Sequence, residues 1–301
     1  MRDLIGFKAV AVHAHPDDEA IWTGGLLANL AARGADVTVV TCTLGEEGEV
    51  IGEPYQGLTN KNADQLGGFR IHELHKSLSL LGVRGEFLGG AGCWRDSGMI
   101  GDPANEHPRA FISSGDKSIE QLTEIFERLQ PDLVITYGPD GGYGHPDHIR
   151  AHNITHTVAE NMDIPRILWA VTPCTELEQG MATITTLPSG WRRALPGEVA
   201  CVDHVDLTIA LDDHAFAAKA AAMRAHATQL WLADATTSDV NPHAAIAGVA
   251  DPKAAPLVFA LSNLIAQPLL DIECYQLGGG TPLTSNDPTE GIRQHTVFSR
   301  R

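Results

Sequence analysis

Apolar runs of strand length alternate with longer stretches of helical periodicity along the first half of the chain. Lys8 to Val12 reads as a buried strand, Ile21 to Arg33 carries apolar residues at helical spacing until Gly34 stops it, and Asp36 to Thr43 is a second, β-branched strand. Strand, helix and strand in that order predict a βαβ unit, which requires parallel strands and a right-handed crossover. The pattern continues with a helix over 62–81, a short strand over 86–88, an amphipathic helix over 118–129, a strand over 133–137, a helix over 146–160 and a strand over 167–171. Together these predict an α/β, Rossmann-like fold, a mostly parallel sheet with helices on both faces. Beyond Ile164 the periodicity weakens. Residues 175–197 read as loop, 202–210 as a strand and 213–229 as an Ala-rich helix. The chain is therefore expected to comprise a Rossmann-like core over 1–165 and a less regular part over 166–301 that completes the fold and the substrate pocket.

Two strand ends carry unusual chemistry. The first strand runs into His15-Pro16-Asp17-Asp18-Glu19, with Pro16 suited to the first helical position and the acids to the first turn, where the helix dipole favours them. The strand over 133–137 runs into Gly138-Pro139-Asp140-Gly141-Gly142-Tyr143-Gly144-His145-Pro146-Asp147-His148, which repeats that layout. Acidic helix starts are common. Histidines at two such starts are not, and in a doubly wound sheet both would lie on the edge where the strands' carboxyl ends meet the ligand. The turn after the first strand holds no GxGxxG, so the dinucleotide fingerprint is absent, as is the HExxH motif.

A catalytic zinc centre takes three His, Asp or Glu ligands and leaves a position for water. His15, Asp18 and His148 supply that set. Asp17 then stands as general base for the water acidified by the metal, which makes metal-assisted hydrolysis the expected chemistry. Fe2+ or Co2+ suits the same ligands as Zn2+, one ion per chain. His145 and His148 could both be ligands, but His145 is favoured as an acid or a stabiliser of the developing oxyanion. Tyr143 either donates to that oxygen or covers the strand end, and Asp147 either orients a histidine or is a plain first-turn acid.

Composition narrows the partners. A chain of 301 residues with 43% hydrophobic content can bury a substantial core, and a formal net charge of −17 argues against a nucleic-acid partner. No apolar run approaches the ~20 residues needed to span a bilayer, and no signal core opens the chain, so a cytoplasmic protein without a membrane partner is expected. The number of chains per assembly stays open. Five widely spaced cysteines without a CxxC pair read as reduced, mostly structural thiols.

HPDDE after the first strand, paired with GHPDH after a later one, resembles the LmbE-like or PIG-L family of zinc-dependent N-acetylglucosaminide deacetylases. The stretches at 40–50 (VTCTLGEEGEV), 63–74 (ADQLGGFRIHEL), 88–99 (LGGAGCWRDSGM) and 137–148 (YGPDGGYGHPDH) are similar to its mycothiol-pathway branch. The resemblance implies zinc on His15, Asp18 and His148, Asp17 as base, and assistance from His145 and Tyr143 at the tetrahedral intermediate. It further implies a small-molecule amino-sugar inositol substrate, deacetylated to the free amine, with Arg70 and Asp96 gripping hydroxyls and Glu49 and Met99 lining the pocket. From the residues alone Arg70 could equally be a surface charge on a helix. An amidase acting on mycothiol S-conjugates ranks second, because its lysine shortly after the acids is missing: none occurs between Lys8 and Lys61. A Rossmann-like sugar-binding protein with a closed structural metal is the reading from another class. The chain departs from the family pattern at Trp22, which is placed to narrow or reshape the pocket.

Overall fold

The computed structural model describes residues 2–292. In chain order the elements are β1 (Lys8–His13), α1 (Asp18–Ala32), β2 (Asp36–Thr41), α2 (Leu66–Leu81), β3 (Arg84–Phe87), α3 (Gly115–Leu129), β4 (Leu133–Tyr137), α4 (Pro146–Glu160), β5 (Arg166–Val171), α5 (Cys174–Thr183), β6 (Ile184–Thr186), β7 (Leu207–Ala210), α6 (Asp213–Ala225), β8 (Trp231–Leu232), β9 (Gly248–Val249), β10 (Leu257–Ala260), β11 (Gln267–Leu269) and β12 (Ile272–Gly280). The main sheet has seven strands in the order β3-β2-β1-β4-β5-β12-β7. Strands β3 to β5 are parallel, and β12 runs antiparallel between β5 and β7.

Alternate residues of each central strand enter opposite cores, which is why the strands read as unbroken apolar runs. Ala9, Ala11, Val37, Val39 and Ile135 pack beneath α1, α2 and α6; Val10, Val12, Val40 and Val134 pack beneath α3 and α4. The α/β arrangement with helices on both faces is thus the one the hydrophobic pattern predicts. The chain leaves β1 toward β2 and β3, then crosses back to β4 and β5 on the other side. Strand order therefore reverses between β1 and β4, and the crevice at that reversal is where an α/β sheet binds its ligand.

The less regular part beyond residue 165 supplies β5, β12 and β7 to the same sheet and α6 to the same face as α1. Small antiparallel sheets, β11-β10-β8 and β6-β9, close over the crevice edge around Trp191, Val258 and Ala260. Residues 174–183 form a helix where loop is expected, because its buried face is only Leu177 and Gly180, too short a stripe to show as periodicity. The strand expected from Val202 starts at Leu207, and the α6 helix stops at Ala225 so that 226–229 can turn into the crevice. Pro16 does not take the first helical position: α1 starts at Asp18, and Asp17 caps it with φ at 116°. Pro146 does, with His145 as cap.

The cysteine reading is corrected. Cys174 and Cys201 form a disulfide, whereas Cys42, Cys93 and Cys274 are free. A 27-residue separation gives no local signature; the bridge between Pro173 and Val202 brings the two together. Opening a loop of that size through Cys174→Ser should lower the stability of the oxidised protein by about 2–4 kcal/mol. Denaturant melts with and without a dithiol reductant would measure this, and equal midpoints would contradict it.

Candidate active site and metal centre

Neighbouring strands β1 and β4 deliver the two histidine segments to one point. His15 Nδ1, Asp18 Oδ2 and His148 Nε2 form a triangle with sides of 3.2, 3.3 and 3.4 Å. A tetrahedral ion with ligand bonds of about 2.0–2.1 Å requires donor atoms about 3.3 Å apart, so this set fits zinc without rearrangement. All three side chains are buried. Wider groupings exist, His15 with His145 and His148 and His15 with Asp96 and Asp147, whose ligand atoms lie within 4.8 Å of one another. The small triangle matches the bond geometry best.

Surrounding groups hold each donor in place. His148 Nδ1–H donates to the Gly141 carbonyl at 3.0 Å, which leaves Nε2 as the free lone pair, and its ring stacks on Tyr137 at 4.1 Å. Tyr137 donates to Asp18 Oδ2 at 2.7 Å and accepts from the Ala14 N–H at 2.9 Å. His15 Nε2 faces Asp147 Oδ2 at 3.4 Å and Asp96 Oδ1 at 3.5 Å, and Asp147 Oδ2 accepts from the Ser97 N–H. Tyr137 shows in the sequence only as the last residue of a strand. Tyr137→Phe should weaken metal binding by about 10–100-fold, the usual effect of losing an outer-shell partner. A competition titration against a chromogenic chelator would measure it, and unchanged affinity would count against the role.

Asp17 combines three features. Its backbone φ of 116° is rare outside glycine and is a strained conformation of the kind found at functional sites. Burial raises its pKa to about 6 despite the Arg70 guanidinium 2.9 Å away. Its N–H is tied to Glu19 Oε2 at 3.0 Å. Arg70 is buried on α2, donating to the carbonyls of Gly45 and Pro16 as well as pairing with Asp17, so it is no surface charge.

His145 is pushed down to about 3 by burial and by His15 and His148, and is neutral. Its Nδ1 accepts from the Asp147 N–H at 3.1 Å, which assigns the proton to Nε2 as a donor. Tyr143 is half exposed on the rim, edge-on to His148 at 5.0 Å. The Asp96 carboxyl is held low against its burial by His15, His145 and the Gly98 N–H. These groups line one cavity of about 500 Å3 with His15, Asp17, Asp18, Trp22, Glu47, Arg70 and Met99. Glu49 does not: its side chain is exposed and its carbonyl accepts from Gln229, because the turn at Gly45–Gly48 points Glu47 inward instead. Trp22 lies under the Gly141–Gly142 turn, where a Cβ on Gly142 would come within 3.1 Å of its ring.

The third acid of the motif has a role that its position alone does not reveal. Glu19 is fully buried, accepting from His226 at 2.7 Å and from Ser77, while Glu73 accepts from both Thr228 N–H and Oγ1. The turn after α6 thereby locks α1 and α2 behind the site. His13, pushed down to about 4 by burial, is neutral and bonded to Thr23.

A Rossmann-like sheet with a His/Asp/His triangle and a strained acid at its switch point is the frame of an α/β metallohydrolase. The chain belongs to the PIG-L family: the family model described as GlcNAc-PI de-N-acetylase matches residues 10–159. It is 99% identical over 293 residues, 97% of this chain and 100% of the other, to the 1D-myo-inositol 2-acetamido-2-deoxy-alpha-D-glucopyranoside deacetylase of Corynebacterium diphtheriae. The protein of the same name from Rhodococcus erythropolis is 45% identical over 289 residues, 91% and 92% of the two chains. Among solved structures, the 4-carboxy-2-hydroxymuconate hydratase of Pseudomonas putida KT2440 superposes with a TM-score of 0.52 at 16% identity, over 93% and 99% of the chains. A deacetylase of the teicoplanin biosynthetic pathway does so with 0.50 at 19%, over 74% and 82%. At such identities the likeness is of fold alone, and a hydratase and a deacetylase share it, so the site must carry the function. Among the described residues no helix is long and apolar enough to cross a membrane.

Proposed function

We infer that the protein hydrolyses the N-acetyl amide of 1D-myo-inositol 2-acetamido-2-deoxy-alpha-D-glucopyranoside, releasing acetate and glucosaminyl inositol. The observation that carries this is the His15–Asp18–His148 triangle beside Asp17, in a chain almost identical to a protein of that name. His15 Nδ1, Asp18 Oδ2 and His148 Nε2 would hold a zinc ion, which when bound would supply Lewis-acid chemistry and lower the pKa of water. Asp17 accepts the proton of the attacking water and delivers it to the amine nitrogen as the C–N bond breaks. Arg70 and the Glu19 carboxylate fix the orientation of Asp17 from two sides. The neutral His145 donates its Nε2–H to the carbonyl oxygen as that atom gains charge, and Tyr143 adds a second donor from the rim. Asp147 orients His15. Asp96 and Met99 meet the sugar and inositol hydroxyls, and Arg70 lines the same cavity from behind Asp17.

The test is acetate and amine release by protein carrying one equivalent of Zn2+, with Fe2+ and Co2+ in parallel. Equimolar acetate and amine, abolished by a chelator, is the expected result. Zinc-loaded protein that binds the pseudo-disaccharide and releases no acetate would overturn the reading in favour of a sugar-binding protein. Faster turnover of a mycothiol S-conjugate than of the acetyl compound would favour the amidase.

A further inference from the structure

The peptide group between Pro16 and Asp17 is gripped at both ends. Its N–H donates to Glu19 Oε2 at 3.0 Å, and its carbonyl accepts from the Arg70 guanidinium. The plane of that peptide sets φ of Asp17 at 116°, and with it the direction of a carboxylate that lines the cavity beside the triangle. A residue other than glycine holds such a conformation only while its surroundings impose it. Both grips lead back to the turn after α6. Glu19 Oε1 accepts from His226 Nε2 at 2.7 Å and from the Ser77 hydroxyl. Arg70, Glu73 and Ser77 stand at i, i+3 and i+7 on α2 and form a buried polar stripe, in which Glu73 accepts from the Thr228 N–H at 2.8 Å and from its hydroxyl at 2.6 Å. Gln229 donates to the Glu49 carbonyl at 2.8 Å. Residues 226–229 thus reach α1, α2 and the loop after β2 at once.

Within this turn His226 is poorly suited to strengthening the core. Its imidazole is fully buried, and among the described residues its Nε2 meets Glu19 while its Nδ1 has no partner. A buried ring nitrogen left unmatched costs stability, so the imidazole contributes something other than packing. What it adds is a second donor on Glu19. With His226 and Ser77 both occupying Oε1, the other carboxylate oxygen is turned to the Asp17 N–H. Neither Glu19 nor His226 lines the cavity, so any effect of the pair on the reaction passes through Asp17.

We propose that His226 is a positioning residue for the base: its Nε2–H holds the Glu19 carboxylate where Oε2 accepts the Asp17 N–H, so proton transfer in the crevice depends on a side chain from the far end of α6. The inference rests on Asp17 acting as base in the hydrolase reading above. The part of the chain beyond residue 165 therefore takes part in the chemistry as well as closing the cavity.

His226→Gln and His226→Asn make the test, with zinc-loaded protein and N-acetylglucosaminyl inositol. Counted in bonds from Cα, the glutamine amide nitrogen stands where histidine Nε2 does and the asparagine nitrogen falls one bond short. Glutamine therefore keeps the donor and asparagine withdraws it, and both stay polar. His226→Gln should hold kcat within about threefold of the parent, and His226→Asn should lower it by about 10–100-fold, the effect of displacing a reacting group by about 1 Å. KM and zinc content should not change in either. In an Asp17→Asn background His226→Asn should cost less than about threefold more, because the group it positions no longer takes the proton. Ser77→Ala removes the other donor on Glu19 and should also lower kcat at constant KM, which keeps the inference testable if His226→Asn does not fold. Equal kcat in the Gln and Asn variants, a loss carried by KM or by zinc content, the full loss repeated in the Asp17→Asn background, or unchanged kcat in Ser77→Ala would each overturn the positioning role and leave the hydrolase reading standing. A zinc-loaded parent that releases no acetate would overturn both.

Discussion

Asp17→Asn is expected to keep its zinc and lose amide hydrolysis by roughly 10²–10⁴-fold, the contribution of a positioned general base. Asparagine preserves the shape of the side chain and accepts no proton at neutral pH. The ligand triangle does not include Asp17, and the Glu19 carboxylate bonds the backbone N–H of residue 17, which asparagine retains. Arg70 keeps its contacts with the carbonyls of Gly45 and Pro16. The loss should therefore fall on kcat, with KM and metal content close to those of the parent. Near-normal turnover would remove Asp17 from the role of base, and loss of zinc would mean that it binds the ion.

His148→Ala should fail earlier in the sequence of events. The imidazole is fully buried and is one corner of a triangle, with its tautomer set by the Gly141 carbonyl. Two donors would remain, and affinity should fall by more than the roughly 10–100-fold typical of losing an outer-shell partner. Turnover at stoichiometric zinc should vanish in proportion to occupancy and recover partly in excess zinc. Metal analysis after dialysis gives the answer directly: undiminished occupancy would contradict the ligand assignment. The pair of variants separates the two functions of the crevice, since one leaves the metal and removes the proton acceptor, and the other does the reverse.

Much of this arrangement is legible in the chain because it depends on local patterns. Strands β1, β2 and β4 show as apolar runs since both their faces are buried, and a strand ending in histidine and acid advertises the sheet edge where ligands bind. His15, Asp18 and His148 stand out for that reason, and Pro146 opens its helix as proline should. Local pattern fails where a contact is made across long separations. Glu19 reads as one more acid in a first turn, yet it is closed in by His226, which lies 207 residues away. Glu49 and Glu47 look interchangeable in a glycine-rich loop, and only the turn at Gly45–Gly48 decides which faces the cavity. The same holds for the Cys174–Cys201 bond, which depends on a bridge between Pro173 and Val202.

Trp22, the point of departure from the family pattern, shows the division most clearly. Its apolar character is plain in the sequence, but its action comes from the glycine turn resting on its ring and from the cavity wall it forms with Ile21. By itself the sequence determined the α/β architecture and pointed to the sheet edge where His15, Asp18 and His148 gather as candidate metal donors, because burial periodicity and donor type are properties of short segments. Tertiary structure decided the strained turn at Asp17, the buried Glu19–His226 lock and the disulfide. Each of these is set by how close distant segments come, and a distance is fixed only when the core is packed.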